Sequence, residues 1–534
     1  RDLPDPARHQ PPVPPVTHLL AISPVPVPPD LLGNRLWVGV IAVIHMQYAT
    51  FLTGASTLAV ISEGIAIGRG DERHARLSAG IVRAMAYLFT FGAALPIFWV
   101  LFVFLGLWGT FFIALTKVTY WVFILEACTF LLEVVVLYVV YANWRKLERH
   151  GHARFGLLVL LNVILFWQMF FIDVVASYML TPNGGDTSQL GQVLNPTDLP
   201  LTTHRFIGNI AWAGTVVAAF AAVRYRRAPR HEAAVATGPA VEGGHTTGRS
   251  IGAMSAGWYK EAGVAHEATE GKPGTKPGDR AFYDFVMQWG VMYAVGFTLL
   301  QPWIGYSYAK EVQLHAFDAW YMMMFGELSN VFLIQITLLG AIFCLGALFF
   351  WRRLRASGAL REARSARNAF VVLVAVTAFA AIPARFAWSW SDIDTSKDAK
   401  PWWNGGVLNP LGTFIPNKVI ALLLMMVFGL WALTAYLTAL SRSRVHWGEG
   451  TRRTTTTVFA LVAVTSAMMS TMAIIREHSR SPYLIYGELT ISNQQVVNAQ
   501  PAQTTPPPAR PTSPPSTPQS SPSPGATPQP RPSP

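Results

Sequence analysis

Charge is scarce in this sequence. Asp, Glu, Lys and Arg make up 13% of its 534 residues while 51% are hydrophobic, a balance that soluble domains seldom reach. Cysteine is scarcer still. The two present, Cys128 and Cys344, each fall inside a long apolar run, which excludes a disulfide framework, and without a Cys-x-x-Cys-His segment no c-type haem can be attached covalently. No phosphate-binding glycine loop is found, which argues against an ATP-driven pump, and no repeat is evident. The opening residues are polar and proline-rich and do not begin with Met, so no cleavable leader is visible and an earlier segment is expected to have been removed.

What the chain has in quantity is apolar helix. Ten runs are apolar all round and long enough for a hydrocarbon core of roughly 30 Å, which takes about 20 helical residues. They are 36–64, 80–104, 112–142, 156–180, 204–224, 282–304, 327–351, 367–385, 416–440 and 455–476. An all-α, polytopic membrane bundle of about ten transmembrane helices is therefore expected. The net charge of +12 could point to nucleic acid, but its placement says otherwise. Of 41 Lys and Arg, 27 lie in the alternate connections 65–83, 143–155, 223–281, 352–367 and 441–454, whereas 181–203 holds Asp186 and Asp198 and no Lys or Arg. That segregation predicts cytoplasmic basic loops, both termini outside and a multi-pass place in a bacterial inner membrane, with no nucleic-acid partner.

Proline frames the bundle. Residues 1–35 read as an outer Pro-rich arm and 491–534 as a Pro-rich disordered tail, neither able to build a packed core. Between them, 36–224 carry helices one to five, 225–281 form a Gly- and Ala-rich cytoplasmic flexible linker, 282–385 hold helices six to eight, and 386–490 hold an outer aromatic segment and the last two helices.

Ionisable groups at membrane depth cost about 2.5–3.5 kcal/mol each on insertion scales, so the few that are kept carry information. Of 13 histidines, His45 and His204 lie in or at the mouth of an apolar run; the acids are Glu63, Glu126, Glu133, Asp173 and Glu327. His45 and Met425 each lie nine residues inside their runs, roughly 14 Å below the outer surface, with Glu126 at comparable depth. Groups from four helices thus converge on the outer half of the membrane. Imidazole, thioether and carboxylate are haem-iron ligands, and a His/Met pair is typical of a low-spin electron-transfer haem. Glu126 and Glu133, two turns apart, project from one helix face with one about 10 Å deeper, a spacing that suits either proton passage or hydrogen-bonded helix glue.

The spacing of His45, Gly54 and Glu63 in HMQYATFLTGASTLAVISE resembles the first helix of subunit I of cytochrome bd oxidase. Other segments are similar in the family's order: LEACTFLLE with Glu126, Glu133 and the following Trp144; Asn195-Pro196 before His204; MMVFG at 425–429; and REHSRSPYLIYGEL with Arg480 and Pro482. The resemblance spans about 36–224 and 416–490. It implies that His45 ligates a high-spin haem, b or d, of the oxygen-reducing site, and that His204 pairs with Met425 or Met426 on a low-spin haem b. It further implies that Glu126 lies distal to the oxygen-binding haem, that Glu133 helps deliver protons, and that Arg480 contacts cofactor. Spacing to Gly429 favours Met425, and the Met-Val pair favours Met426.

Departures from the family stand beside these likenesses. The position taken for the acid ligand of a third haem is Ser470, which puts that haem in doubt, with Met468, Met469 and Met472 nearby. The family's outer quinol loop is replaced by a short segment containing Lys310 and Glu311, two extra helices, and a segment with Trp388, Trp390, Trp402 and Trp403. The expected function is a bd-like terminal oxidase subunit that reduces oxygen to water, with a second membrane subunit as partner and either quinol or a c-type cytochrome as outer electron donor. The rival readings are a non-oxidase haem b electron-transfer subunit of a larger respiratory complex, and a proton-coupled transporter without haem.

Overall fold

The structure is a computed structural model that describes residues 34–92, 106–182, 191, 195–228, 279–324, 328–381 and 416–490. Its helices are α1 (Asn34–Arg69), α2 (Glu72–Gly92), α3 (Gly109–Ala142), α4 (Gly151–Leu180), α5 (Asp198–Arg227) and α6 (Asp279–Thr298). They continue as α7 (Gln301–His315), α8 (Phe317–Met324), α9 (Ser329–Ala356), α10 (Leu360–Ala381), α11 (Pro416–Ser441) and α12 (Arg452–Ser479). A hairpin of β1 (Tyr483–Ile485) and β2 (Leu489–Thr490) follows.

Among the described residues, eight helices are long and apolar enough to cross a membrane: α1, α3, α4, α5, α9, α10, α11 and α12. The remainder of the run 80–104 lies outside the described residues beyond Gly92. The run 282–304 is not one helix. α6 ends at Thr298 and α7 restarts at Gln301 with Pro302 in its first turn, where a residue without an N–H is tolerated because that donor has no intrahelical partner.

α1, α5 and α6 pack closely because small residues face backbone. A β-carbon on Gly54 would lie 1.9 Å from the Asn209 carbonyl oxygen, and Gly214 and Gly290 leave each other no room for one either, at 2.7 and 2.6 Å from the opposing carbonyl oxygens. Between helices in lipid, where apolar surface has no preference for a neighbouring helix, such close backbone approach supplies the association energy. α12 starts on a reciprocal cap, in which Thr451 Oγ1 accepts from Thr454 N at 3.2 Å and Thr454 Oγ1 from Thr451 N at 2.8 Å.

The arginine-rich connections gather at one end of the bundle, here called the basic end. Two buried ion pairs tie it together. Arg154 Nε of α4 donates to Glu63 of α1 at 2.8 Å, under the Trp144 ring, and Arg353 of α9 meets Asp284 of α6 at 2.8 Å with both side chains fully buried. α9, α10 and α11, the last two flanking residues 382–415, pack as a group, while α5 and α12 join this half to α1 and α4.

Candidate functional site

Opposite the basic end, α1, α5 and α12 are laced at one level. Trp212 Nε1 donates to the Gln47 carbonyl at 3.0 Å, and Gln47 Nε2 donates to the Ser466 carbonyl at 3.2 Å. His45 stands two residues farther out on α1. His204 stands eight residues out from Trp212 on α5, which puts it roughly 9 Å nearer the far end than His45 at 1.5 Å per residue. The next residue, Arg205, pairs with the buried Asp173 of α4 and acts electrostatically on His45.

The His204 ring has a particular setting. Its Nδ1 is buried with no hydrogen-bond partner among the described residues, and α7 faces it with Gly305, where a β-carbon would come within 3.3 Å of Cε1. Gln301 of the same helix donates to the His204 carbonyl at 2.9 Å. α7 packs against both α5 and α11.

On α11 the two methionines differ. Met425 is fully buried, and its Cε lies 2.7 Å from where a Gly340 β-carbon would be, on α9. Met426 lies two turns from Leu433 along one stripe of α11, the stripe whose Leu433 touches the open side of Gly296 on α6. Met425 thus packs toward Gly340 of α9, while Gly429, one turn on, faces Leu299 at the α6–α7 junction and Phe343 of α9; Met426 is half-buried.

Around this layer three arginines, Arg205, Arg476 and Arg480, meet the acids Asp173, Asp198 and Glu477. Arg480 is 2% exposed and donates to Glu477 at 2.7 and 2.8 Å, yet its Nε, Nε and Nη2 of Arg476, and the Tyr308 hydroxyl have no hydrogen-bond partner among the described residues. Asp173 lies within the electrostatic reach of Arg205 and Arg476. Tyr308 carried no motif, and Arg476, although it opens the REHSRSPYLIYGEL segment, was not singled out by sequence reasoning; a helix end with two arginines around one acid was the available signal. Ser470 Oγ donates to the Ser466 carbonyl at 3.0 Å, so the acid that α12 offers to this layer is Glu477.

Glu126 and Glu133 of α3 face α4, where the Gln168 side chain lies within electrostatic reach of both. Glu133 is 2% exposed, and Tyr48 of α1 is within its electrostatic reach. Gln168 is the residue of this group that no sequence motif marked. Asn195 has a structural part. Its Nδ2 donates to the Thr181 carbonyl at 2.7 Å and its Oδ1 accepts from Thr197 N at 3.0 Å, which sets the entry of α5 and hence the height of His204. Lys310 and Glu311 engage their own helix, with Gln313 at 3.0 Å and His315 at 3.5 Å. Glu327, Trp388, Trp390, Trp402 and Trp403 lie outside the described residues.

Residues 34–266 match the family described as cytochrome bd terminal oxidase subunit I. This segment, a little under half of the chain, is similar to cytochrome bd oxidase subunit I. The matched bd segment contains His45, Glu126, Glu133 and His204, and stops before α6, so Met425, Met426 and Arg480 lie beyond it. Among solved structures, the bd oxidase from Geobacillus thermodenitrificans is similar at 14% identity, covering 84% of this chain and 98% of that chain with a TM-score of 0.42. No curated protein matches. The bd subunit I family binds haem, and the residues here suit such a group. A buried imidazole with an open ring nitrogen can bind iron, and unpartnered guanidinium donors suit the carboxylates of a porphyrin.

Proposed function

We propose that this chain is the haem-bearing subunit of a bd-type terminal oxidase in a bacterial inner membrane, with a second membrane subunit as partner. The observation that carries this reading is the His204 ring, buried with Nδ1 unpartnered among the described residues and faced by Gly305. A buried polar atom left without a partner costs about 1–3 kcal/mol unless something else satisfies its ring.

In this reading His204 and Met426 hold a low-spin haem b, and His45 holds a high-spin haem, b or d. The acid available on α12 to a third haem is Glu477. When bound, the haems supply electron transfer and oxygen reduction. The chain's own residues do the rest. Gly305 keeps the His204 ring clear, Gln301 anchors its backbone, and Arg205, Arg476, Arg480 and Tyr308 receive carboxylate charge. Glu126 and Glu133 hold and pass protons along the α3–α4 seam, with Gln168 beside them. The donor, quinol or a c-type cytochrome, would approach the far end, where α7 and α8 take the place of the usual quinol loop.

A reduced-minus-oxidised spectrum of the purified protein, with and without CO, tests the proposal. A low-spin b signal together with a CO-reactive haem is expected. A low-spin signal with no CO-reactive haem would move the chain to the electron-transfer reading, and no haem bands at all would reject both. His45→Ala is expected to abolish CO binding and His204→Ala to remove only the low-spin bands.

A further inference from the structure

At the basic end, the close of α5, the start of α6 and the start of α12 enclose a cleft of about 280 Å³ lined by Tyr225, Arg226, Arg280, Arg452 and Thr455. Three guanidiniums from three helices line it, and among the described residues no carboxylate does. The acids nearby in sequence are engaged elsewhere: Asp279 pairs with Arg76, Asp284 with Arg353, and Glu449 lies 3.9 Å from Arg353.

The cleft is built. Arg226 Nε donates to Thr455 Oγ1 at 2.6 Å and its Nη2 to Thr456 Oγ1 at 2.8 Å. Arg280 Nη2 donates to the Tyr225 hydroxyl at 2.9 Å, with its guanidinium 4.2 Å over the Tyr225 ring. Tyr225 is itself 2% exposed and donates to the Gly448 carbonyl at 2.9 Å. Like charges held together by neutral partners repel one another unless an anion joins them.

We propose that this cleft binds the phosphodiester headgroup of an anionic phospholipid. Its level selects a lipid over a free ion. α5 and α12 are both long and apolar enough to span a membrane, and the cleft lies at their ends, where hydrocarbon gives way to headgroups. The Arg226 guanidinium also lies 4.7 Å from the ring of Phe459, two turns into α12, so the cationic wall borders apolar surface on its membrane side. Basic pockets between helices on the cytoplasmic side of a bilayer are suited to such headgroups. The inference is independent of the haem reading.

Native mass spectrometry of the full chain in neutral detergent, titrated with phosphatidylglycerol or phosphatidylcholine, tests it. Phosphatidylglycerol is expected to bind at least about tenfold more tightly. Arg280→Gln with Arg452→Gln is expected to abolish that preference, and Arg452→Gln alone, at an exposed residue, to weaken it. Arg227→Gln, one position outside the cleft, is expected to leave it unchanged. Equal binding of the two lipids, or an undiminished preference in the double variant, would overturn the proposal. So would inorganic phosphate at millimolar concentration raising the thermal midpoint as much as phosphatidylglycerol does, since the cleft would then be a free-anion site.

Discussion

Gly305 of α7 faces the imidazole of His204, so close that a β-carbon would sit 3.3 Å from Cε1 and 3.6 Å from Nδ1. A β-carbon there would press on the ring, and a branched side chain would press harder. Gly305→Val is therefore expected to push the ring aside and lower the low-spin haem content several-fold, while CO binding at the other site persists. Haem content per protein and the difference spectrum would check this, and an unaltered low-spin band would remove His204 from the proposed role.

The two adjacent methionines are separable. Met426→Leu is expected to convert the low-spin signal to a high-spin, CO-reactive one. Met425→Leu, a near-isosteric change in a packed position against Gly340, is expected to keep the spectrum and cost under about 1.5 kcal/mol. The reverse pattern would reassign the ligand to Met425.

Gln168 of α4 lies beside the two carboxylates of α3. Glu133→Gln is expected to slow oxygen consumption by about 100-fold, the lower range for loss of a proton-transfer group. Gln168→Leu is expected to give a smaller loss with a raised solvent isotope effect. Turnover measured in H₂O and D₂O distinguishes this from a structural part, which would lower the amount of folded protein without changing the isotope effect.

Arg154 neutralises Glu63 inside the bundle. Arg154→Leu leaves a buried carboxylate alone and is expected to destabilise the fold by about 3–5 kcal/mol, whereas Glu63→Leu together with Arg154→Leu recovers much of that loss. Thermal midpoints of the single and double variants in one detergent measure the difference.

His74, in the first turn of α2 and outside the expected span 80–104, packs edge-on to Phe285 and Trp289 at 5.1 and 4.8 Å. Burial holds its imidazole down to about 4; Asp71 opposes this, and Arg73 and Arg69 reinforce it. The unfolded chain, with an ordinary imidazole near 6.5, therefore takes up the proton first as pH falls. The native state keeps its full stability above about pH 6.5 and loses it progressively toward pH 4. His74→Phe is expected to flatten the decline of the thermal midpoint between pH 7 and 5; an equal slope in both proteins would show that another group governs it.

Much of this molecule was legible before its structure. Apolar runs of spanning length and the segregation of Arg into alternate connections are one-dimensional properties, because a bilayer imposes both its thickness and its charge asymmetry on the chain in sequence order. The same logic picked out His45, His204, Glu126 and Glu133, since ionisable groups are costly at membrane depth wherever they end up. The break between α6 and α7 was not legible from hydropathy, which runs on through Leu299 and Leu300 although the backbone does not.

Tertiary structure decided what needs two helices at once. That Gly305 stands across from His204, that Gln168 lies beside the two glutamates of α3, and that Met425 packs against Gly340 of α9 while Met426 stays half-buried all depend on which helix faces follow one another around the bundle. Within α11 alone, the two methionines are equivalent neighbours on an apolar helix. The surplus of arginine donors beside Tyr308 likewise exists only where α7 and α12 meet. The sequence by itself determined that a few buried imidazoles and carboxylates had to have partners, because desolvation penalises each one alone; only packing decided who those partners are.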